Sequence, residues 1–263
     1  MKIAIVGYGK MGKLIEQTAV DAGHDVVLTV DAFDEAAKLK VAAGDAATLC
    51  RAVEGCAAEG IIEFTSPASV VANLKALLPT RIPIVVGTTG WQEEREEISR
   101  LAKECGGTVM SSANFSVGVN VFYRIVQEAA RLASSFDEYD AAVWEMHHNM
   151  KADSPSGTAL ETAQRVLAGF KRKDTIVTNE FTRRPAPNEL HVSSTRCGSV
   201  PGTHKVIFDS MADTIEITHT ARSRQGFASG AVHALENLTS MLSRGQLERG
   251  RLYGMSDVFP GLF

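Results

Sequence analysis

No apolar run in this 263-residue sequence approaches the roughly 18 residues that a membrane span requires, so no membrane partner is expected. Charge of one sign is missing as well. The 27 Lys and Arg nearly balance the 31 Asp and Glu, the formal net charge is −4 and the pI is about 6.0. Such a balance gives no global pull towards nucleic acid or a membrane surface. The longest charged run, Glu93-Glu94-Arg95-Glu96-Glu97, mixes signs and reads as the solvated start of a helix. The four cysteines, Cys50, Cys56, Cys105 and Cys197, form no C-x-x-C pair, and no histidine stands at zinc-finger spacing from them. They read as free thiols in a reducing compartment. No leader is expected ahead of the fold, because Lys2–Val6 already forms a strand that enters the first motif at Gly7. A cytoplasmic protein is the resulting expectation. The hydrophobic fraction of 44% and charged fraction of 22% are those of an ordinary globular chain and exclude disorder. The length allows one large domain or two modest ones.

What is present is an alternation. Short apolar runs at Lys2–Val6, Asp25–Val30, Gly60–Phe64, Pro83–Val86 and Thr108–Ser111 are separated by helical patterns, the first over Lys10–Ala22. Strands of four to six residues alternating with helices predict βαβ units and a parallel sheet. Ligands then bind beyond the carboxyl ends of the strands. Those ends are Gly7-Tyr8-Gly9, Asp31, Thr65-Ser66, Gly87-Thr88-Thr89 and Asn114, a row of small and polar residues. After Asn114 the pattern changes. A long helix over Val117–Ala133 precedes strands at Ala141–His147, His191–Arg196, Lys205–Asp209 and Thr214–Thr220, interrupted by a helix over Gly157–Phe170. The last strand alternates polar and apolar residues, as a half-exposed antiparallel or mixed strand does. The final helix, Phe227–Leu242, has no local partner and is expected to pack back on the first domain. The expected fold class is α/β, with a Rossmann-type parallel-sheet dinucleotide-binding domain (residues 1–115 with 225–263) and a second α+β domain with an open mixed sheet (116–224).

Gly7-Tyr8-Gly9-Lys10-Met11-Gly12 is a G-x-G-x-x-G run that leaves a strand and opens a helix. The first glycine permits the tight turn, the second the approach of a pyrophosphate, and the third the packing of helix on strand. First-turn N–H groups then face the phosphates. Asp31, roughly 20 residues further on, can accept hydrogen bonds from ribose hydroxyls and would repel a 2′-phosphate. No arginine follows within Ala32–Ala37, so NADH is favoured over NADPH, and Lys10 or Lys13 leaves NADPH use open.

The densest chemical cluster is Glu145-Met146-His147-His148-Asn149-Met150-Lys151-Ala152-Asp153-Ser154-Pro155-Ser156-Gly157-Thr158-Ala159. It reads as a strand end, a polar loop and a helix start. Ser156 suits the N-cap, and the Gly157 and Thr158 N–H groups would be free. With Lys151 and His148 they could grip a carboxylate. His147 can titrate near neutral pH and deliver a proton. Adjacent histidines on a strand point to opposite faces, so one of the pair is expected inward. A metal site is not expected, because adjacent histidines ligate one ion poorly and no third ligand suggests itself.

At these residues the chain resembles the dihydrodipicolinate reductases of lysine biosynthesis, whose signature is E-x-H-H-x-x-K-x-D-x-P-S-G-T-A. Glu145, His147, His148, Lys151, Asp153, Pro155, Ser156, Gly157, Thr158 and Ala159 match it. The glycine loop, Glu63-Phe64-Thr65-Ser66-Pro67, Gly87-Thr88-Thr89-Gly90, Ala113–Asn120, Arg196-x-Gly198-x-x-x-Gly202-x-His204, Ile215–His219 and Arg224 match other family motifs. Glu63 stands where the family usually has Asp. The segment Ala32–Ala58 is compact and lacks the basic residue that some relatives place beside the ribose.

The resemblance implies reduction of 4-hydroxy-tetrahydrodipicolinate, a small cyclic dicarboxylate, to tetrahydrodipicolinate. It implies His147 as acid/base residue, Lys151 as proton donor, and His148, Ser156, Gly157, Thr158 and Arg224 as substrate-binding residues. Gly7–Gly12, Asp31, Gly87, Thr88, Thr89, Ser112, Ala113, Asn114 and Phe115 would face the cofactor. A homotetramer through the second sheet is also implied. Another two-domain dehydrogenase would share the glycine loop without needing the His-His-x-x-Lys cluster. A non-catalytic dinucleotide sensor would have no use for His147 and Lys151. A family member drifted to another substrate would keep all of these features.

Overall fold

The computed structural model describes residues 1–262; Phe263, the last residue of the expected first domain, lies outside the described residues. The chain divides into two compact units, Met1–Ser116 with Gln225–Phe263, and Val117–Arg224.

In chain order the first unit begins with β1 (Lys2–Val6), α1 (Lys10–Asp21), β2 (Asp25–Asp31), β3 (Leu39–Lys40), α2 (Ala46–Gly55), β4 (Gly60–Glu63), α3 (Pro67–Leu77), β5 (Ile84–Val86), α4 (Arg95–Cys105) and β6 (Val109–Ser111). The second unit holds α5 (Val117–Ala133), β7 (Asp140–His147), α6 (Gly157–Gly169), β8 (Thr175–Val177), β9 (Glu189–Arg196), β10 (Thr203–Asp209) and β11 (Thr214–Thr220). The chain then returns to the first unit with α7 (Gln225–Ser243), β12 (Leu252–Tyr253) and α8 (Met255–Val258). Among the described residues no helix is long and apolar enough to cross a membrane.

The first sheet has seven parallel strands in the order β12-β6-β5-β4-β1-β2-β3. Its central strands are apolar without alternation because helices cover both faces. On β1, Ile3 and Ile5 join α1 and α7 in one core, while Ala4 and Val6 join α2, α3 and α4 in the other. The return of α7 is close: a Cβ on Gly60 would stand 2.8 Å from the Leu235 side chain. Four elements here were not foreseen, namely β3, α2, β12 and α8. The charged run also begins earlier than its helix, since α4 starts at Arg95 with Glu96 and Glu97 in its first turn.

The second sheet is mixed, in the order β11-β10-β7-β9-β8. β7 and β9 run parallel, as do β8 and β9, while β10 is antiparallel to β7 and β11. Its inward face packs Ala141, Val143, Val192, Val206 and Phe208 against α5 and α6. β11 is a largely exposed edge strand.

Candidate active site

Two clusters carry chemistry, one in each unit. In the first unit the chain leaves β1 and turns at Gly7 with φ +95°, where a Cβ would stand 2.1 Å from the Phe64 carbonyl oxygen. Only glycine tolerates both conditions. A Cβ on Gly12 would stand 2.1 Å from the Gly7 carbonyl oxygen, so α1 rests directly on the turn. Gly9 by contrast faces open space, with nothing within 4 Å of an added Cβ. It is the N-cap of α1, which has no side-chain cap and no acidic residue in its first turn. The positive end of the helix is thus left for an external anion.

Asp31 closes the far side of this turn. Its carboxylate accepts from the backbone N–H groups of Tyr8 at 2.7 Å, Phe33 at 2.8 Å and Asp34 at 3.0 Å. Burial alone would raise this carboxyl, but the three donors outweigh it and hold it below its ordinary value. A cavity of about 230 Å³ opens here, lined by Gly7, Gly9, Asp31, Phe33, the turn from Val41 to Asp45, Thr65 and Ser66. These residues fit a dinucleotide, because the cradle at Gly9 is open and its helix end is uncompensated. Lys10 is exposed and Met11 half-buried. Two expectations are corrected. The Tyr8 hydroxyl is given to Glu16, which with burial pushes the phenol up to about 12, so this side chain serves the fold. Lys13, one of two lysines open to a 2′-phosphate, is paired with Asp34 at 2.6 Å.

The neighbouring strand ends are tied together by Glu63, whose importance the sequence reading missed. It is fully buried and accepts from the hydroxyls of Thr65 and Thr88 and from Asn73. Burial pushes its carboxyl up, against the pull of those donors. Thr88 is therefore largely buried, its oxygen also accepting from Thr65 N at 2.7 Å. Gly87 makes room for the Phe64 ring, which would overlap a Cβ at 1.9 Å. Thr88, Thr89, Ser112 and Ala113 line a second cavity of about 160 Å³ with Trp91, Gln92 and Arg95. Ser112 and Asn114 fold their loop on itself, Ser112 Oγ donating to the Asn114 carbonyl at 2.9 Å. Phe115, expected to face the cofactor, has its side chain buried in the core, 6.1 Å from Phe64 between ring centroids.

In the second unit His147 ends β7 on the inward face and is buried, while His148 is half-buried. Strand alternation carries Ala141, Val143, Glu145 and His147 to one side. His147 Nδ1 is hydrogen-bonded to the Glu145 carboxylate. Glu145 also accepts from Arg196 Nη1 at 2.8 Å. Burial would raise this carboxyl, but Ser194, Arg196 and His147 around it hold it low. His147 is pushed down by burial, against the attraction of Glu145, and the charges of Lys151 and Arg196 add to the fall. It is a neutral imidazole at pH 7, with Nδ1–H directed at Glu145.

The loop then reaches Lys151, whose Nζ pairs with Asp153 at 2.7 Å. Arg196 braces the loop by donating to the carbonyls of Lys151 and Asp153. Ser156 caps α6, its Oγ accepting from Ala159 N at 3.2 Å. The same Oγ lies 3.2 Å from His204 Nε2. The Ser156 hydroxyl is thus buried and committed, a correction to its reading as a substrate ligand. Gly157 is exposed and Thr158 half-buried at the open helix start. Arg224 is exposed and makes no ion pair with this cluster among the described residues.

Folding also supplies the third ligand-type group that the sequence reading did not find. Glu145, His147 and His204 bring candidate donor atoms within 4.8 Å of one another. The Arg196 guanidinium already neutralises Glu145, so the donor set carries its own counter-charge.

Two family models match the chain. One, for the N-terminus of dihydrodipicolinate reductase, matches residues 1–115; the other, for its C-terminus, matches residues 118–259. A 4-hydroxy-tetrahydrodipicolinate reductase of Christiangramia forsetii is 34% identical over 263 residues, covering 100% of this chain and 99% of that protein. One from Archaeoglobus fulgidus is 35% identical over 243 residues, covering 89% and 92%. In structure, a dipicolinate-bound dihydrodipicolinate reductase from a Paenisporosarcina species superposes with a TM-score of 0.75 at 20% identity, covering 98% of this chain and 99% of that one. That last likeness concerns the fold.

Proposed function

The chain belongs to the dihydrodipicolinate reductase family, and from that premise we propose that it reduces 4-hydroxy-tetrahydrodipicolinate to tetrahydrodipicolinate with a nicotinamide dinucleotide. The observation that carries the site assignment is the loop from His147 to Thr158. It sets a buried imidazole, a cation and an open helix start within twelve residues.

The glycine turn and the first turn of α1 hold the pyrophosphate, and Asp31 holds the adenosine ribose. A reduced nicotinamide, when bound, supplies hydride to the substrate's conjugated C=C–C=N unit. The chain's own residues do the rest. His148 and the Gly157 and Thr158 N–H groups bind a substrate carboxylate, the amides held in place by the Ser156 cap. Lys151 exchanges Asp153 for the substrate and delivers a proton to the carbon beside the hydride acceptor. His147 is the acid/base group that works with Lys151, its tautomer set by Glu145. Asp31 already engages three backbone donors, which fixes its charge where a 2′-phosphate would lie, and NADH is the preferred cofactor, with NADPH usable. The working form is a cytoplasmic homotetramer.

A coupled assay tests this reading. Dihydrodipicolinate synthase generates the substrate from pyruvate and aspartate semialdehyde, and oxidation of NADH and NADPH is followed when this protein is added. Oxidation that depends on the synthase product is expected. Intact dinucleotide binding without oxidation would move the reading to another substrate.

A further inference from the structure

One row of the second sheet is polar where the row before it, Val192, Val143, Val206 and Ile217, is apolar. Glu145 on β7 stands directly opposite Ser194 on β9 and His204 on β10, and His204 stands directly opposite His219 on β11. Directly opposed residues send their side chains to the same face. The row therefore crosses four strands, from Ser194 on β9 to His219 on the edge strand β11, and His147 lies two residues beyond Glu145 on β7. The His147 and His204 rings meet edge to face, centroids 5.1 Å apart at 72°. His219 rests against Phe122 of α5, with ring centroids 5.9 Å apart.

Two ring nitrogens of this row, His204 Nδ1 and His219 Nδ1, are buried without a hydrogen-bond partner among the described residues. Buried polar groups almost always find partners in protein or ordered water. Orphans on successive strands of one row are a pattern that water completes. The 4.8 Å span that holds the donor atoms of Glu145, His147 and His204 is one that a single bridging water covers.

We propose that His204 and His219, joined by ordered water, form a proton-supply row that recharges His147 from the exposed edge of the second sheet. This rests on the reductase reading above. Each turnover takes up one hydride and one proton and releases one water. The electron pair travels with the hydride, and the row restores the one proton. A neutral imidazole carries N–H on one nitrogen and accepts on the other, so it relays by taking a proton at one and releasing it at the other. The groups facing His204 are Glu145 and His147 from β7, Ser156 from α6 and His219 from β11. Burial first, and the His147 charge second, push His204 down to about 4, so it rests neutral and keeps no proton for itself. His219, lowered by burial, is half-buried at the strand that meets solvent.

The coupled assay on the wild-type enzyme comes first. Failure of the wild type to oxidise either cofactor removes the reductase reading and the relay with it. With the wild type active, His219→Gln and His204→Gln are expected to lower kcat roughly tenfold or more. The KM for the dinucleotide should not change, and the solvent deuterium isotope effect on kcat should grow. Added imidazole should restore part of the loss in His219→Gly. A folded His219→Gln enzyme with unchanged kcat and isotope effect overturns the relay. Where the variants do not fold, a proton inventory on the wild type decides: a bowed curve supports the row, and a straight line overturns it.

Discussion

Thr88 gives its hydroxyl to the buried Glu63 carboxyl at 2.7 Å, and this one bond ties the loop after β5 to the end of β4. Among the described residues no cation stands against Glu63; its partners are Thr65, Thr88 and Asn73. The loops beside the cavity at the glycine turn are thus hung on a carboxyl whose neutral form burial favours.

A pH prediction follows from the direction of that shift. A carboxyl raised in the folded state contributes stability below its unfolded value, ordinarily near 4.5, and loses it as pH rises through the folded value. Glu63→Gln copies the neutral acid. Its stability relative to wild type should therefore grow as pH rises above 4.5 and level off once the folded carboxyl has ionised. Urea unfolding across that range measures it, and parallel curves would remove the account. Glu63→Ala loses the same titration and should in addition lie about 2 kcal/mol below Glu63→Gln, from orphaned hydroxyl and amide donors.

Asp31 holds three backbone N–H groups as well as a charge. Asp31→Asn keeps an acceptor and drops the charge, so the NADPH/NADH ratio of kcat/KM should rise about tenfold, or ~1.4 kcal/mol. Asp31→Ala should also lower stability by about 1 kcal/mol, because three backbone donors lose their acceptor. A cofactor ratio unmoved in the Asn variant would place the ribose contact elsewhere.

For the proton chemistry, Lys151→Ala and His147→Gln are expected to reduce turnover roughly 100-fold or more while leaving NADH affinity little changed. Steady-state kinetics with fluorescence titration of NADH separates the two quantities. An equal loss of cofactor binding would make both positions structural.

Acid should loosen the second unit through His204. Its folded value of about 4 lies below the ordinary 6.5, so its contribution is intact above 6.5 and is lost as pH falls towards 4. The loss amounts to roughly 3 kcal/mol at full protonation. His204→Gln should flatten the pH dependence of unfolding in that window. A slope identical to wild type would mean that other groups carry the acid sensitivity.

How much of this was legible depends on whether the cause was local. β1 and β4 announced themselves as short apolar runs ahead of polar turns, and the glycine spacing announced the turn at Gly7. β3 and β12 are two residues long, and β8 three. Such strands exist only because a neighbour's edge is there to pair with. α2 escaped notice because only Leu49 and Val53 are buried along it. In the site, His147, Lys151 and the Ser156 cap lie within one stretch and could be read together. Arg196 and His204 reach Glu145 through strand register, which no local pattern encodes. Tyr8 and Phe115 were read from the loops on which they lie, but their side chains are turned into the protein.

The return of the chain to the first unit has a consequence for its synthesis. Leu235 packs on Gly60, and α7 fills a core that β1 and α1 began more than two hundred residues earlier. On a ribosome, Val117–Arg224 is complete while the older unit still lacks two helices and an edge strand. The second unit can therefore mature first, and the core beneath the glycine turn waits for the last stretch of chain to be released.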